Sequence, residues 1–242
     1  MRPVPVLRPL GAARRRALLL VVLMAYKPHW LSVWHARDAL LDGAVVTLEL
    51  TVFSMVAGTA IAIFLALARR SQIRIVHTAA SAWIETARNT PCLFQIYMAY
   101  FGLGTFGIQL SSYVAVLLAL IFNNAGYMAE IIRGGINAVP PTQRAAALSL
   151  GMNPAQAYAY VILPQVGRII YHPSTNQIMW CLLNTSLGMT VGLQELSGAT
   201  AFQQSLTFRA FEFFAVTAVI YYVLAKLVML LARFFGVWVF RE

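Results

Sequence analysis

Five long apolar runs dominate the chain, at approximately residues 45–68, 84–103, 113–132, 175–193 and 211–235. As helices, each is long enough to cross a hydrocarbon layer of roughly 30 Å. They predict an all-α integral membrane protein with a core of five transmembrane helices. A shorter run, Ala17 to Tyr26, follows a basic start and as helix would reach only about 15 Å. It either lies at the interface or extends through Trp34 as an additional N-terminal membrane helix. It resembles the first two regions of a signal peptide, but no small-residue cleavage site follows it. The pattern divides the chain into an N-terminal segment (1–42), a transmembrane domain (43–236) and a short tail (237–242).

Between the third and fourth runs the pattern changes. The loop from Gly134 to Pro173 contains QRAAALSLGMNPAQAYAYVILPQ, from Gln143 to Gln165. Pro140 and Pro141 suit the first turn of a helix, where a missing N–H costs nothing, and an alanine-rich helix follows from Thr142 to Leu150. Gly151 ends it, because glycine past the last turn adopts the left-handed conformation cheaply. Asn153 then caps a second helix that has Pro154 in its first turn and runs towards Leu163, where Pro164 breaks or kinks it. The prediction is a pair of short helices meeting at a rigid elbow, with small residues on the outside of the first. Two capped helices are more than a linker between spans requires. The corner superficially matches a DNA-binding helix-turn-helix. Its second helix, from Ala155 to Tyr160, offers no basic side chain, so no nucleic acid partner is expected.

Composition sharpens this picture. Apolar residues make up 60% of the chain, charged residues 11%, and the net charge is +10; with a mean hydropathy of +0.71, this is not a soluble domain. In a membrane protein the placement of basic residues sets topology. Arg69, Arg70 and Arg74 follow the first run, Arg133, Arg144 and Arg168 the third, and Arg233 and Arg241 the fifth, while Gly104 to Ser112 carries no charge. The elbow loop and the C-terminus are therefore expected in the cytoplasm. Arg14, Arg15 and Arg16 conflict with this unless a sixth, N-terminal crossing exists. Cys92 and Cys181 stand alone in apolar runs and read as packing residues.

Catalysis finds no support in the sequence. There is no G-x-x-x-x-G-K-[ST] phosphate loop, no H-E-x-x-H and no G-x-S-x-G, and His29, His35, His77 and His172 all lie outside the core spans. No catalytic, cofactor or metal site is expected in this chain.

The run Ala145-Ala146-Ala147, Gly151, Val161, Leu163-Pro164 resembles the EAA loop of permease subunits from bacterial ABC importers. GAVVTLELTVFSM from Gly43, ETARNTPCLFQIYMAYFGLG from Glu85, NNAGYMAEIIRGGINAVPPTQ from Asn123, NTSLGMTVGLQEL from Asn184 and TFRAFEFF from Thr207 are similar to the polar amino acid uptake branch of that family. These matches run in order from about Leu40 to Phe235. The resemblance implies a bacterial inner-membrane subunit whose elbow is a pair of coupling helices held by a separate ABC ATPase dimer, which binds ATP and Mg2+. It also implies a second permease chain, identical or related, surrounding lipid, and a periplasmic or lipid-anchored amino-acid-binding protein. Ala145, Ala146, Ala147, Leu148, Ser149, Gly151, Asn153 and Pro164 are the implied ATPase-coupling positions. Ala145 departs from the pattern, since the family usually places glutamate there; an exposed ion pair is worth only about 0–1 kcal/mol, so packing of the elbow would supply the rest.

Polar residues inside spans usually face protein or water. Asn123 and Asn124 in the third run, and Asn184, Thr185 and Ser186 in the fourth, offer donors and acceptors suited to a zwitterionic amino acid. The resemblance implies substrate contacts near Asn123 and the Asn184–Ser186 stretch; hydrogen bonding between helices is the competing role. The RNTP and NTSL stretches look closer to acidic or general amino acid systems than to basic ones. Glu85 and Arg88 are expected to pair, Glu212 to sit at a helix start, and Lys226 to snorkel; Glu49 has no assigned role. The rival function is a secondary transporter driven by an ion gradient, a class that often shows repeated halves. No convincing internal repeat is present.

Overall fold

The structure is a computed structural model and describes residues 26–240. Its helices are α1 (Trp30–His35), α2 (Arg37–Ala68), α3 (Arg74–Asn89), α4 (Cys92–Tyr97), α5 (Ser112–Ala138), α6 (Pro141–Ser149), α7 (Pro154–Gln156), α8 (Leu163–Asn184), α9 (Leu196–Thr207) and α10 (Ala210–Phe240). A π turn, Met98–Gly102, prolongs α4; another, Ala157–Ile162, joins α7 to α8; and a 3-10 turn, Thr185–Val191, prolongs α8. The expectations about residues 17–25 and about Arg14, Arg15 and Arg16 lie outside the described residues.

Helix α5 is the centre of the bundle and packs against α2, α3, α4 and α8. Small residues set the approach distances. A Cβ on Gly58 of α2 would lie 2.8 Å from Asn124 Cβ, and one on Gly126 of α5 would lie 2.5 Å from Ala87 Cβ of α3. The largest core cluster joins Leu50, Ile96, Leu120 and Cys181, and a second joins Leu40, Leu182, Leu196 and Phe213. Outside, Val56, Phe64, Leu227 and Leu231 are exposed, as expected of surface in contact with acyl chains.

Three of the five predicted spans are single helices long and apolar enough to cross a bilayer: Arg37–Ala68, Ser112–Ala138 and Ala210–Phe234. The second is broken. Thr90 is extended (φ −115°, ψ 140°) and Pro91 has no N–H, so α3 stops at Asn89 and α4 restarts at Cys92. The fourth begins far earlier than its apolar run. Pro164 does not end the elbow's second helix: the wider π turn immediately before it accommodates the ring, and helix continues from Pro154 through the 3-10 turn to Val191, where Gly192 closes it at φ 76°. Likewise α5 runs through Gly134 to Ala138, so the elbow loop is much shorter than residues 134–173. Helix α10 reaches Phe240, so most of the predicted tail is helical.

Candidate functional site

The elbow forms much as its sequence dictates. Helix α6 starts at Pro141 and ends in a left-handed Gly151 (φ 83°), with Met152 N donating to Ala147 O at 3.2 Å and Gly151 N to Leu148 O at 3.0 Å. Asn153 then closes a capping box: its side chain accepts from Gln156 N, and Gln156 accepts from Asn153 N, both at 2.9 Å. Beneath the corner, Val139, Ile162 and Val166 form a small core with Ile136, Tyr158 and Ile170 packed on it. Ala147 is buried, whereas Ala145, Ala146, Leu148, Ser149 and Leu150 are exposed. A small-residue helix face is thus held on a rigid support and left free on its outer side.

A charged cluster stands at the same end of the bundle. Glu130 of α5 is hydrogen-bonded to Arg69 at the end of α2, lies 3.7 Å from Arg88 of α3, and accepts from Arg133 at 2.7 Å. Glu85 lies 3.9 Å from Arg69. The expected Glu85–Arg88 pair is therefore replaced: the packing of α3 on α5 offers each residue a partner on another helix. Arg70 donates to Tyr158 Oη at 2.9 Å, tying the end of α2 to the elbow.

The predicted path residues do not converge on one cavity within the chain. Asn123 and Asn124 are successive helical residues and so point about 100° apart. Asn123 Nδ2 donates to Ala87 O, left free by the break at Pro91, and to Gln95 Oε1, both at 3.0 Å. Its Oδ1 has no partner among the described residues. Asn124 faces α2 and α8 instead, accepting from Gln177 Nε2 at 2.7 Å and donating to Cys181 Sγ at 3.1 Å. Asn184 and Thr185 bond back to Trp180 O and Leu182 O, both at 2.8 Å. Ser186 borders an open cleft of about 580 Å3 with Ser197, Thr217 and Tyr221. Gln95 Nε2 also donates to Ala87 O, at 3.0 Å, so replacing Asn123 by leucine removes one of two donors to that carbonyl and the donor to Gln95 Oε1; a loss of about 1 kcal/mol is expected, read as a lower melting temperature in detergent.

Two features escaped the sequence reading. Helix α9 lies between the fourth and fifth apolar runs, where the hydropathy pattern predicts no element. Ahead of it, the fully buried Glu195 accepts from Ser197 N (2.9 Å), Gly198 N (2.8 Å) and Tyr221 Oη (2.9 Å), with Thr47 Oγ1 at 3.4 Å. The signal available was a glutamate followed by Leu-Ser-Gly directly after a glycine-ended helix, an N-cap pattern with unusual side-chain reach. Glu212 is the helix-start carboxylate expected, but it is fully buried and also accepts from Tyr26 Oη and from His29 N at 2.8 Å. It fastens the chain before α1 and offers no oxygen to another protein.

A bundle of apolar helices around a central α5, with an exposed small-residue elbow on one end, is the architecture of a membrane-embedded transport subunit. Residues 58–240 match the family described as binding-protein-dependent transport system inner membrane component, and the chain belongs to that family. It is 38% identical over 200 residues to the octopine transport system permease protein OccM of Rhizobium meliloti, covering 79% of this chain and 82% of that one. The glutamine transport system permease protein GlnP of Escherichia coli is 29% identical over 206 residues, with 84% and 94% covered. A chain from the crystal structure of an amino acid ABC transporter with histidines superposes with a TM-score of 0.81 at 35% identity, covering 87% of this chain and 98% of that chain. Subunits of this family are inner-membrane transport components that work with a separate ATPase and a substrate-binding protein.

Proposed function

We propose that this chain is the membrane-spanning subunit of an ATP-driven importer of polar amino acids, acidic or general in preference, whose ATPase dimer grips the α6–α7 elbow. The observation that carries the reading is the exposed face Ala145, Ala146, Leu148 and Ser149, supported from beneath by Val139, Ile162 and Val166, in a chain similar to OccM and GlnP. ATP and Mg2+ bind the partner, the elbow and C-terminus face the cytoplasm, and a periplasmic or lipid-anchored binding protein delivers substrate.

A second permease chain completes the path. Glu49 is exposed in the middle of α2, on a face that also shows Val45, Val52 and Val56. A carboxylate there is costly against acyl chains, so this face suits protein or water. Gln95, which accepts from Asn123 Nδ2 at 3.0 Å, helps to line a cavity of about 420 Å3 with Thr90, Ala119 and Phe122, and its polar end suits a polar solute there.

Vesicles holding the chain, its ATPase and its binding protein are expected to accumulate amino acid on ATP without an ion gradient, and vanadate should stop uptake. Gradient-driven, vanadate-insensitive uptake refutes the reading. Gly151→Val places a β-branched residue at φ 83°, which costs about 1–2 kcal/mol against the elbow geometry, a factor of about 5–30 in its population. The variant should insert normally while ATPase co-purification and uptake fall together.

A further inference from the structure

We propose that the cleft beside the elbow receives a carboxylate of the partner ATPase, so that the permease supplies the positive member of the docking pair. The inference rests on the elbow being the ATPase dock. The cleft, of about 450 Å3, is lined by Arg70 at the end of α2, Asn137, Pro140 and Pro141 before and in α6, Arg144 on α6, and Tyr158 in the π turn. Helix α6 thus forms both the exposed docking face and one wall of the cleft, and an occupant of the face reaches the arginines.

The charges are uncompensated. Arg70 is oriented by Tyr158 Oη at 2.9 Å, and neither Arg70 nor Arg144 lies in an ion pair among the described residues. The nearby carboxylates, Glu85 and Glu130, are already engaged by Arg69, Arg88 and Arg133. Across residues 131–194 the sequence has no aspartate or glutamate at all. A cytoplasmic loop needs basic residues for topology, but topology alone requires neither that two of them share a cleft nor that one be held by a tyrosine hydroxyl. Arginine's planar fork fits a carboxylate in two parallel hydrogen bonds. Ala145, next to Arg144, stands where the family resemblance places a glutamate, so this chain carries no carboxylate of its own at that position to neutralise Arg144.

The test uses the full chain purified with its ATPase in vesicles containing phosphatidylserine. Ser149→Cys, treated with a thiol-to-amine linker, reports whether the ATPase sits on the elbow at all. Arg144→Lys keeps the charge and introduces an amine; a carbodiimide then joins that amine only to a carboxylate in direct contact. The chain's own lysines, Lys27 and Lys226, lie outside the elbow, so the unmodified protein is a clean control. The expected result is an amide bond to an aspartate or glutamate of the ATPase, located by mass spectrometry. Arg144→Glu should also cut ATPase retention by about tenfold at low salt, since like charges facing each other are repelled, and the loss should shrink as ionic strength shortens the Debye length to about 3 Å at 1 M. If the thiol linker captures the ATPase but the introduced amine couples only to phosphatidylserine, or to nothing, the charge assignment is overturned and the dock stands. If the thiol linker captures no ATPase, both are overturned.

Discussion

Glu195→Ala is expected to be the most damaging single substitution in the described chain. The carboxylate is fully buried and accepts from two backbone N–H groups at the start of α9 and from Tyr221 of α10, with Thr47 of α2 at 3.4 Å. Truncation leaves three donors without this acceptor; Gly198 N is buried, while Ser197 and Tyr221 border the open cleft and Tyr221 Oη keeps Ser197 Oγ at 3.0 Å, so at about 1–3 kcal/mol per stranded donor a loss of about 3 kcal/mol is expected, against a total stability of about 5–15 kcal/mol for a typical domain. The expected readouts are a sharp drop in membrane-inserted yield and a melting temperature too low to survive detergent extraction. Glu195→Gln retains an acceptor oxygen and should fall between alanine and wild type. Normal yield and melting for the alanine variant would show that the donors find other partners.

Glu130→Ala is expected to come second. Three arginines from α2, α3 and α5 converge on this carboxylate, and removing it leaves like charges facing one another. The side chain keeps 15% of its exposure, so the cost lies between about 0–1 kcal/mol for a surface pair and about 3–5 kcal/mol for a buried one; about 2 kcal/mol is the expectation. Unlike the Glu195 variant, this one should recover stability as salt rises, because the repulsion is partly screened. A melting curve indifferent to salt would place the loss in packing instead.

These two carboxylates also mark what the sequence could convey. Long apolar runs identified three helices directly because length and hydropathy suffice for a helix that meets lipid along one face. The break at Pro91 was visible as Thr-Pro, but a hydropathy window averages across it. Helix α9, LSGATAFQQSLT, lacked a long apolar run and is recognisable mainly from the glutamate before it, whose partners come from α2 and α10, far away in sequence. The elbow was legible because its determinants are local: proline, glycine and Asn-Pro at fixed offsets. Its continuation past Pro164 was not, since a π turn leaves no periodic signature in six residues. The in-span asparagines stand out in the sequence as polar groups within apolar runs, yet the backbone break that Asn123 serves lies on another helix.

The missing break at Pro164 has a mechanical consequence. From Pro154 to Asn184 the backbone is continuously helical, a strut of about 46 Å with one end in the elbow and the other at the heart of the bundle. No slack loop between them can absorb a displacement. A tilt of about 5° pivoting at the elbow end carries the Asn184 end sideways by about 4 Å at that length, which is comparable with the width of a small solute's passage.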